Sequence, residues 1–100
     1  MSELNESNES PIPSLMLFVA GNAPRSQRAR ENLATALEAL DLESVKPMEI
    51  DLLQDPEQTV TFSVFATPAL IQSDSHGGMR VLYGDLSEEH KLHDFLRGLG

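Results

Sequence analysis

The sequence contains no cysteine. That removes disulfides, thiol catalysis and thiolate metal sites together, because each needs a sulfur that can ionise or oxidise. Positive charge is also scarce. Seven Lys and Arg face sixteen Asp and Glu, for a formal net charge of −9. A phosphate backbone needs a basic footprint, so nucleic acid is excluded as the expected partner. The charge suits a partner with a basic or mixed surface. No apolar run approaches the ~20 residues that span a bilayer, so no membrane segment is expected. The first residues are acidic and polar, unlike a signal peptide or a basic transit sequence, and the expected location is the cytoplasm. What remains is 100 residues, 40% hydrophobic and 23% charged, the size and composition of one small globular domain.

Residues 1–14 read as a disordered acidic tail. "SELNESNES" is poor in apolar residues and cannot offset the entropy of ordering. Residues 15–100 read as the folded domain. "LMLFVA" from Leu15 is a continuous apolar run, the mark of a strand covered on both faces. From Ser26 to Leu40, apolar residues fall at Ala29, Leu33, Ala36, Leu37 and Leu40, an amphipathic helical stripe. Met48, Ile50 and Leu52 alternate with Glu49 and Asp51, as in a strand. A right-handed crossover would make these two strands parallel.

"DPEQ" then offers Asp55 as a cap, Pro56 in the first turn and Gln58 at capping-box spacing. The residues that follow, Thr59, Val60, Thr61 and Val64, are β-branched and favour strands, so this helix carries mixed instructions. Phe62 and Phe65 beside it are expected in the core. "TPALI" and "MRVLY" read as strands joined by the hairpin loop "QSDSHGG". Ser87 is the expected cap of a last helix, from about Glu88 to Arg97, buried along Leu92, Phe95, Leu96 and Leu99. The predicted order is β-α-β-α-β-β-α.

Phe18 to Ala29, "FVAGNAPRSQRA", has the outline of a redox loop: a strand, a break at Gly21, Pro24, then a helix start. Ala23 and Ser26 stand where a Cys-Pro-x-Cys turn has its thiols. The element order resembles the thioredoxin and glutaredoxin topology. "ATP" at Ala66 to Pro68 falls where that fold places a cis-proline, so the Thr67–Pro68 bond is expected cis. "LFVAGNAPRSQRA", "IDLLQDPEQ", "FATPAL" and "YGDLSEEHKL" together resemble the KaiB family, across about Leu15 to Leu99. The resemblance implies a thioredoxin-like fold with a central mixed sheet and a non-enzymatic clock protein without cofactor or metal. It implies binding to a KaiC-like hexameric ATPase, with KaiA-like or sensor-kinase proteins as further partners. Some members of the family also adopt a rearranged tetrameric fold, so a homo-oligomer and a fold switch are open alternatives. Clock members often carry a proline cluster where this chain has His76, Gly77 and Gly78. That departure fits a paralogue working beside a KaiC-like ATPase outside a central oscillator. "TPAL" and the glycine turn lean toward the KaiB-like sensor domain of a clock kinase.

On this reading Arg25, Arg28 and Arg80 are the candidate partner-binding residues. Gly21, Asn22, Pro24, Thr67, Pro68, Gly84 and Asp85 are the structural or switch residues. Gly21 and Gly84 are expected to take backbone conformations closed to other residues. Arg25, Arg28 and Arg30 can equally be a solvated helix face. His90 and His93, with Glu89 and Asp94, lack a third converging ligand for a metal. Ser26, His76 and Asp85 lack the elbow and oxyanion elements of a nucleophile set. A competing function is a thiol-free glutathione-binding protein in which the Ser26 hydroxyl holds the thiolate.

Overall fold

The computed structural model describes residues 14–62, 64, 66–73 and 78–97. Their order is β1 (Leu15–Val19), α1 (Pro24–Ala39), β2 (Met48–Asp51), α2 (Gln58–Phe62), β3 (Ala69–Ser73), β4 (Met79–Tyr83) and α3 (Glu89–Leu96). This is the order that the hydrophobic pattern predicts. The four strands form one sheet in the order β2-β1-β3-β4. β1 and β2 run parallel, with Phe18 opposite Ile50. β3 is antiparallel to both β1 and β4, so the sheet is mixed.

All five residues of β1 are buried, because helices cover both sides of the central strand. Leu15, Leu17 and Val19 point to one face. They meet Leu70, then Ala29, Leu33, Ala36 and Leu37 of α1, and Leu92, Phe95 and Leu96 of α3. Met16 and Phe18 point to the other face, with Ala69, Ile71 and Val64. There Phe62 of α2 meets Phe18 edge-on, ring centres 5.5 Å apart, a favoured aromatic geometry.

Three local expectations change. α1 starts at Pro24, one half-turn before Ser26, because proline's fixed φ and missing N–H suit a first helical position. α2 spans five residues and starts at Gln58 rather than Pro56. Its β-branched Thr59, Val60 and Thr61 give it little helical preference, and none of its residues is fully buried. Ser87 does not cap α3. Its N–H donates to Asp85 Oδ1 at 3.1 Å, an Asx turn that uses the capping segment earlier in the chain. Glu88 is the N-cap, without a side-chain hydrogen bond. Phe65, His76, Gly77 and Leu99 lie outside the described residues, as does the acidic stretch 1–13.

Candidate partner-binding site

The loop between β1 and α1 is held by four side chains. Ser26 is 1% exposed, and its Oγ accepts the Ala20 N–H at 3.0 Å. Asp51 Oδ1 accepts the Gly21 and Leu53 N–H groups, each at 3.0 Å. The Gly21 carbonyl accepts from an Arg30 terminal nitrogen at 2.9 Å. Arg30 also forks onto Glu49, with both bonds at 2.9 Å, and this fork raises the Arg30 pKa. Gln27 Nε2 donates to the Asn22 carbonyl at 3.2 Å. Gly21 is left-handed at φ +55°, and a Cβ there would meet Leu53 Cδ1 at 2.9 Å.

This scaffold presents the first turn of α1 to solvent. The turn has no acidic residue, and its N-cap, Ala23, supplies no side-chain hydrogen bond. The positive end of the helix dipole is therefore uncompensated by a capping carboxylate or hydroxyl. Arg25 and Arg28 stand on this turn, and both are exposed. Arg28 Nε donates to Asp85 Oδ2 at 3.0 Å. Arg25 makes no hydrogen bond or ion pair with another described residue.

The second wall comes from the turn after β4. The Thr67–Pro68 bond is cis, and Gly84 takes φ +111°. The Gly84 N–H donates to the Pro68 carbonyl at 2.9 Å, which ties the proline segment to the turn. Asn32 of α1 donates to the Asp85 carbonyl at 2.9 Å. Hydrogen bonds from Ser87, then from Arg28, hold the Asp85 carboxyl down at about 2. Arg25, Tyr83, Gly84, Glu88 and Lys91 line a shallow hollow of about 270 Å³ between these walls.

Gly21, Asn22, Pro24, Arg25, Arg28, Gly84 and Asp85 thus share one end of the sheet with Thr67 and Pro68. Arg80 stands apart. It lies four residues before Gly84, about 13 Å along the strand. Its Nη1 donates to Gln72 Oε1 at 2.9 Å, and its guanidinium sits 4.7 Å from the Phe95 ring centre. His93 faces Glu89 at 3.8 Å. Ser26 is buried as a loop clamp, and Asp85 is engaged by Arg28. Neither is poised as a member of a nucleophile set, and Ser26 offers no accessible hydroxyl to a glutathione thiolate.

The residues that sequence reading missed are Asp51, Glu49 and Asn32. Asp51 and Glu49 read there only as the polar half of a strand. Their alternation carried no sign that they reach back to Gly21 and Arg30, 30 and 19 residues away in sequence from their respective partners.

Comparison with known proteins places these features in context. A family model described as the KaiB domain matches residues 16–98. A protein named circadian clock oscillator protein KaiB from Picosynechococcus is 38% identical over 79 residues, covering 78% of this chain and 74% of that one. Its namesake from Gloeothece citriformis is 37% identical, covering 78% and 73%. Among solved structures, the N-terminal domain of SasA from Synechococcus elongatus superposes with a TM-score of 0.67 at 23% identity, over 93% of this chain and 90% of that one. The Drosophila thioredoxin Deadhead gives the same TM-score at 17% identity, over 86% and 79%. At these identities the two structures speak for the fold, which is thioredoxin-like.

Proposed function

This chain belongs to the KaiB family, and from that premise we propose that it is a non-enzymatic adaptor that docks on a KaiC-like hexameric ATPase through the cationic end of α1. The relatives that match it are circadian clock oscillator proteins, and it serves the clock or a related timing or stress pathway. It works in the cytoplasm, and KaiA-like or sensor-kinase proteins are further partners or competitors for the ring.

The observation that carries this reading is the first turn of α1. In a chain of net charge −9, it combines an uncapped helix N-terminus with Arg25, which has no ion-pair partner among the described residues, and with Arg28, braced by Asp85. An acidic patch on the ring would find there the helix dipole, the Arg28 guanidinium held by Asp85 and the Arg25 guanidinium, unengaged among the described residues. The loop with the outline of a redox turn acts as a scaffold for that turn of α1, with Ser26 and Asp51 holding its backbone.

The test is biolayer interferometry of the full chain against the KaiC-like ring of the same organism. Arg25→Glu is expected to weaken binding about fivefold to tenfold, as for a charge at an interface rim, with an unchanged circular dichroism spectrum. Unaltered affinity in both Arg25→Glu and Arg28→Glu would refute the surface. Failure of the unmodified chain to bind would refute the adaptor itself.

A further inference from the structure

The outer edge of β4 has the features of a strand-docking site. The sheet order puts β4 at one border. Its hydrogen-bond phase follows from two observations. The Gly84 N–H bonds the Pro68 carbonyl, and Tyr83 lies opposite Ala69. Hydrogen-bonded pairs alternate along an antiparallel ladder, so Leu82 with Leu70 and Arg80 with Gln72 carry the β3–β4 bonds. The N–H and C=O groups of Met79 and Val81 therefore point away from the sheet, toward solvent.

The side chains of the same residues share the α2 face, opposite Ser73, Ile71 and Ala69. That face of the strand is apolar and open: Met79 is 43% exposed, Val81 37% and Tyr83 44%. Natural edges are usually blunted by charge, proline or a bulge. β4 has no proline, and its single charge, Arg80, projects from the other face onto Phe95. The opposite border is different. The Leu52 N–H bonds the Val19 carbonyl, which turns the backbone groups of Glu49 and Asp51, two acidic residues, away from β1, and the Asp51 carbonyl is already taken by the Gln54 and Asp55 N–H groups. The two borders of one sheet are thus unlike, and only β4 joins an outward backbone ladder to exposed apolar side chains.

We propose that the outer edge of β4 binds an extended segment of a partner protein by strand addition. That segment carries alternating apolar side chains for Met79, Val81 and Tyr83, and lysine or arginine at its ends. Backbone pairing gives such an interface its affinity, and alternate side chains give its specificity. The charge follows from the chain. β4 itself holds no acidic residue that would oppose an apolar strand, and Glu88, which lines the hollow at the strand's exit with Tyr83, is paired with Lys91 at 3.1 Å. The remainder of the molecule is strongly negative, so cationic flanks are attracted, whereas a second copy of this chain would bring the same net charge of −9. Tyr83 also lines the hollow beside Arg25, so this site adjoins the α1 end at the strand's exit, but the ladder at Met79 and Val81 does not depend on the identity of the ATPase.

The probe is an eleven-residue peptide of alternating valine and threonine with two lysines at each end, titrated into the full ¹⁵N-labelled chain. We expect amide shifts and slowed hydrogen exchange at Met79 and Val81, and weaker binding as salt rises and screens the lysines. Val81→Pro removes an outward N–H without breaking a β3–β4 bond, since proline is tolerated on edge strands. It is expected to weaken the peptide about tenfold or more. Val81→Lys, which keeps the N–H but places a charge on the face, is expected to act in the same direction. No binding at millimolar peptide, shifts that map to β2, or full affinity in both variants would overturn the proposal. So would a concentration-dependent dimer in sedimentation velocity that Val81→Pro dissolves, because the edge would then belong to a second copy.

Discussion

Replacing Gly21 with alanine separates two costs that coincide at this residue. Gly21 is left-handed at φ +55°, and a Cβ there would approach Leu53 Cδ1 to 2.9 Å. The first cost is conformational, about 1–2 kcal/mol for an L-residue held in this region. The backbone cannot relax away from it cheaply. The Gly21 N–H is tied to Asp51 and its carbonyl to Arg30, and a rotated peptide would lose both bonds. The second cost is steric, and it is small. Leu53 is 72% exposed, so its methyl end can rotate into solvent with little loss of buried area. The net expectation for Gly21→Ala is a loss of about 1 kcal/mol, or a fall of roughly 4–8 °C in Tm for a domain of this size. Gly21→Asn should lose less, because asparagine tolerates the left-handed region. The assay is urea unfolding of wild type, Gly21→Ala, Leu53→Ala and the double variant. In the double-mutant cycle, the coupling between positions 21 and 53 should stay below about 0.5 kcal/mol. A double variant that regains the full loss would show that the clash, not the dihedral, sets the cost. A Gly21→Ala protein as stable as wild type would refute the argument that Asp51 and Arg30 lock the loop.

Two further outcomes follow from the same structure. The Asp85 carboxyl titrates at about 2 in the folded protein, below its ordinary value of 3.8, so its contribution to stability is present above that ordinary value and is lost as the pH falls toward 2. Urea midpoints measured across that window should decline less steeply in Asp85→Asn than in wild type, and equal slopes would refute the assignment. The chain is also expected to rest in the thioredoxin-like state, because Glu89–Leu96 contains no glycine or proline and buries Leu92, Phe95 and Leu96. Sedimentation at micromolar concentration should give a monomer with helical NMR shifts through residues 89–96, and a tetramer with strand-like shifts there would reverse that preference.

Much of the fold was legible because its signals are local. The five apolar residues of β1 announced a strand covered on both faces, since no half-exposed strand keeps both of its sides apolar. The stripe Ala29, Leu33, Ala36 and Leu37 fixed the inward face of α1 through the helical period alone. Gly21 and Gly84 stood where positive φ was required, and the proline motif marked a cis bond through its resemblance to a known frame. α2 was less legible. Its β-branched residues oppose a helix, and only Phe62, packed on Phe18, shows what holds it against the sheet.

The candidate site divides in the same way. That arginines gather at the start of α1 is a fact of sequence. Which of them is available to a partner is a fact of tertiary structure. Arg30 is spent on Gly21 and Glu49, Arg28 is braced by Asp85, and Arg80 lies over Phe95 beside Gln72. Arg25 alone among them has no such engagement with another described residue. The outward phase of β4 is equally invisible in "MRVLY". Alternation tells which side chains share a face, but not which backbone groups face the neighbouring strand. That choice is made by pairing with β3, through the one bond between Gly84 and Pro68 that sets the ladder. Side-chain period is a property of the chain, whereas hydrogen-bond phase and ion-pair partners are set by residues distant in sequence, brought together only when the sheet closes.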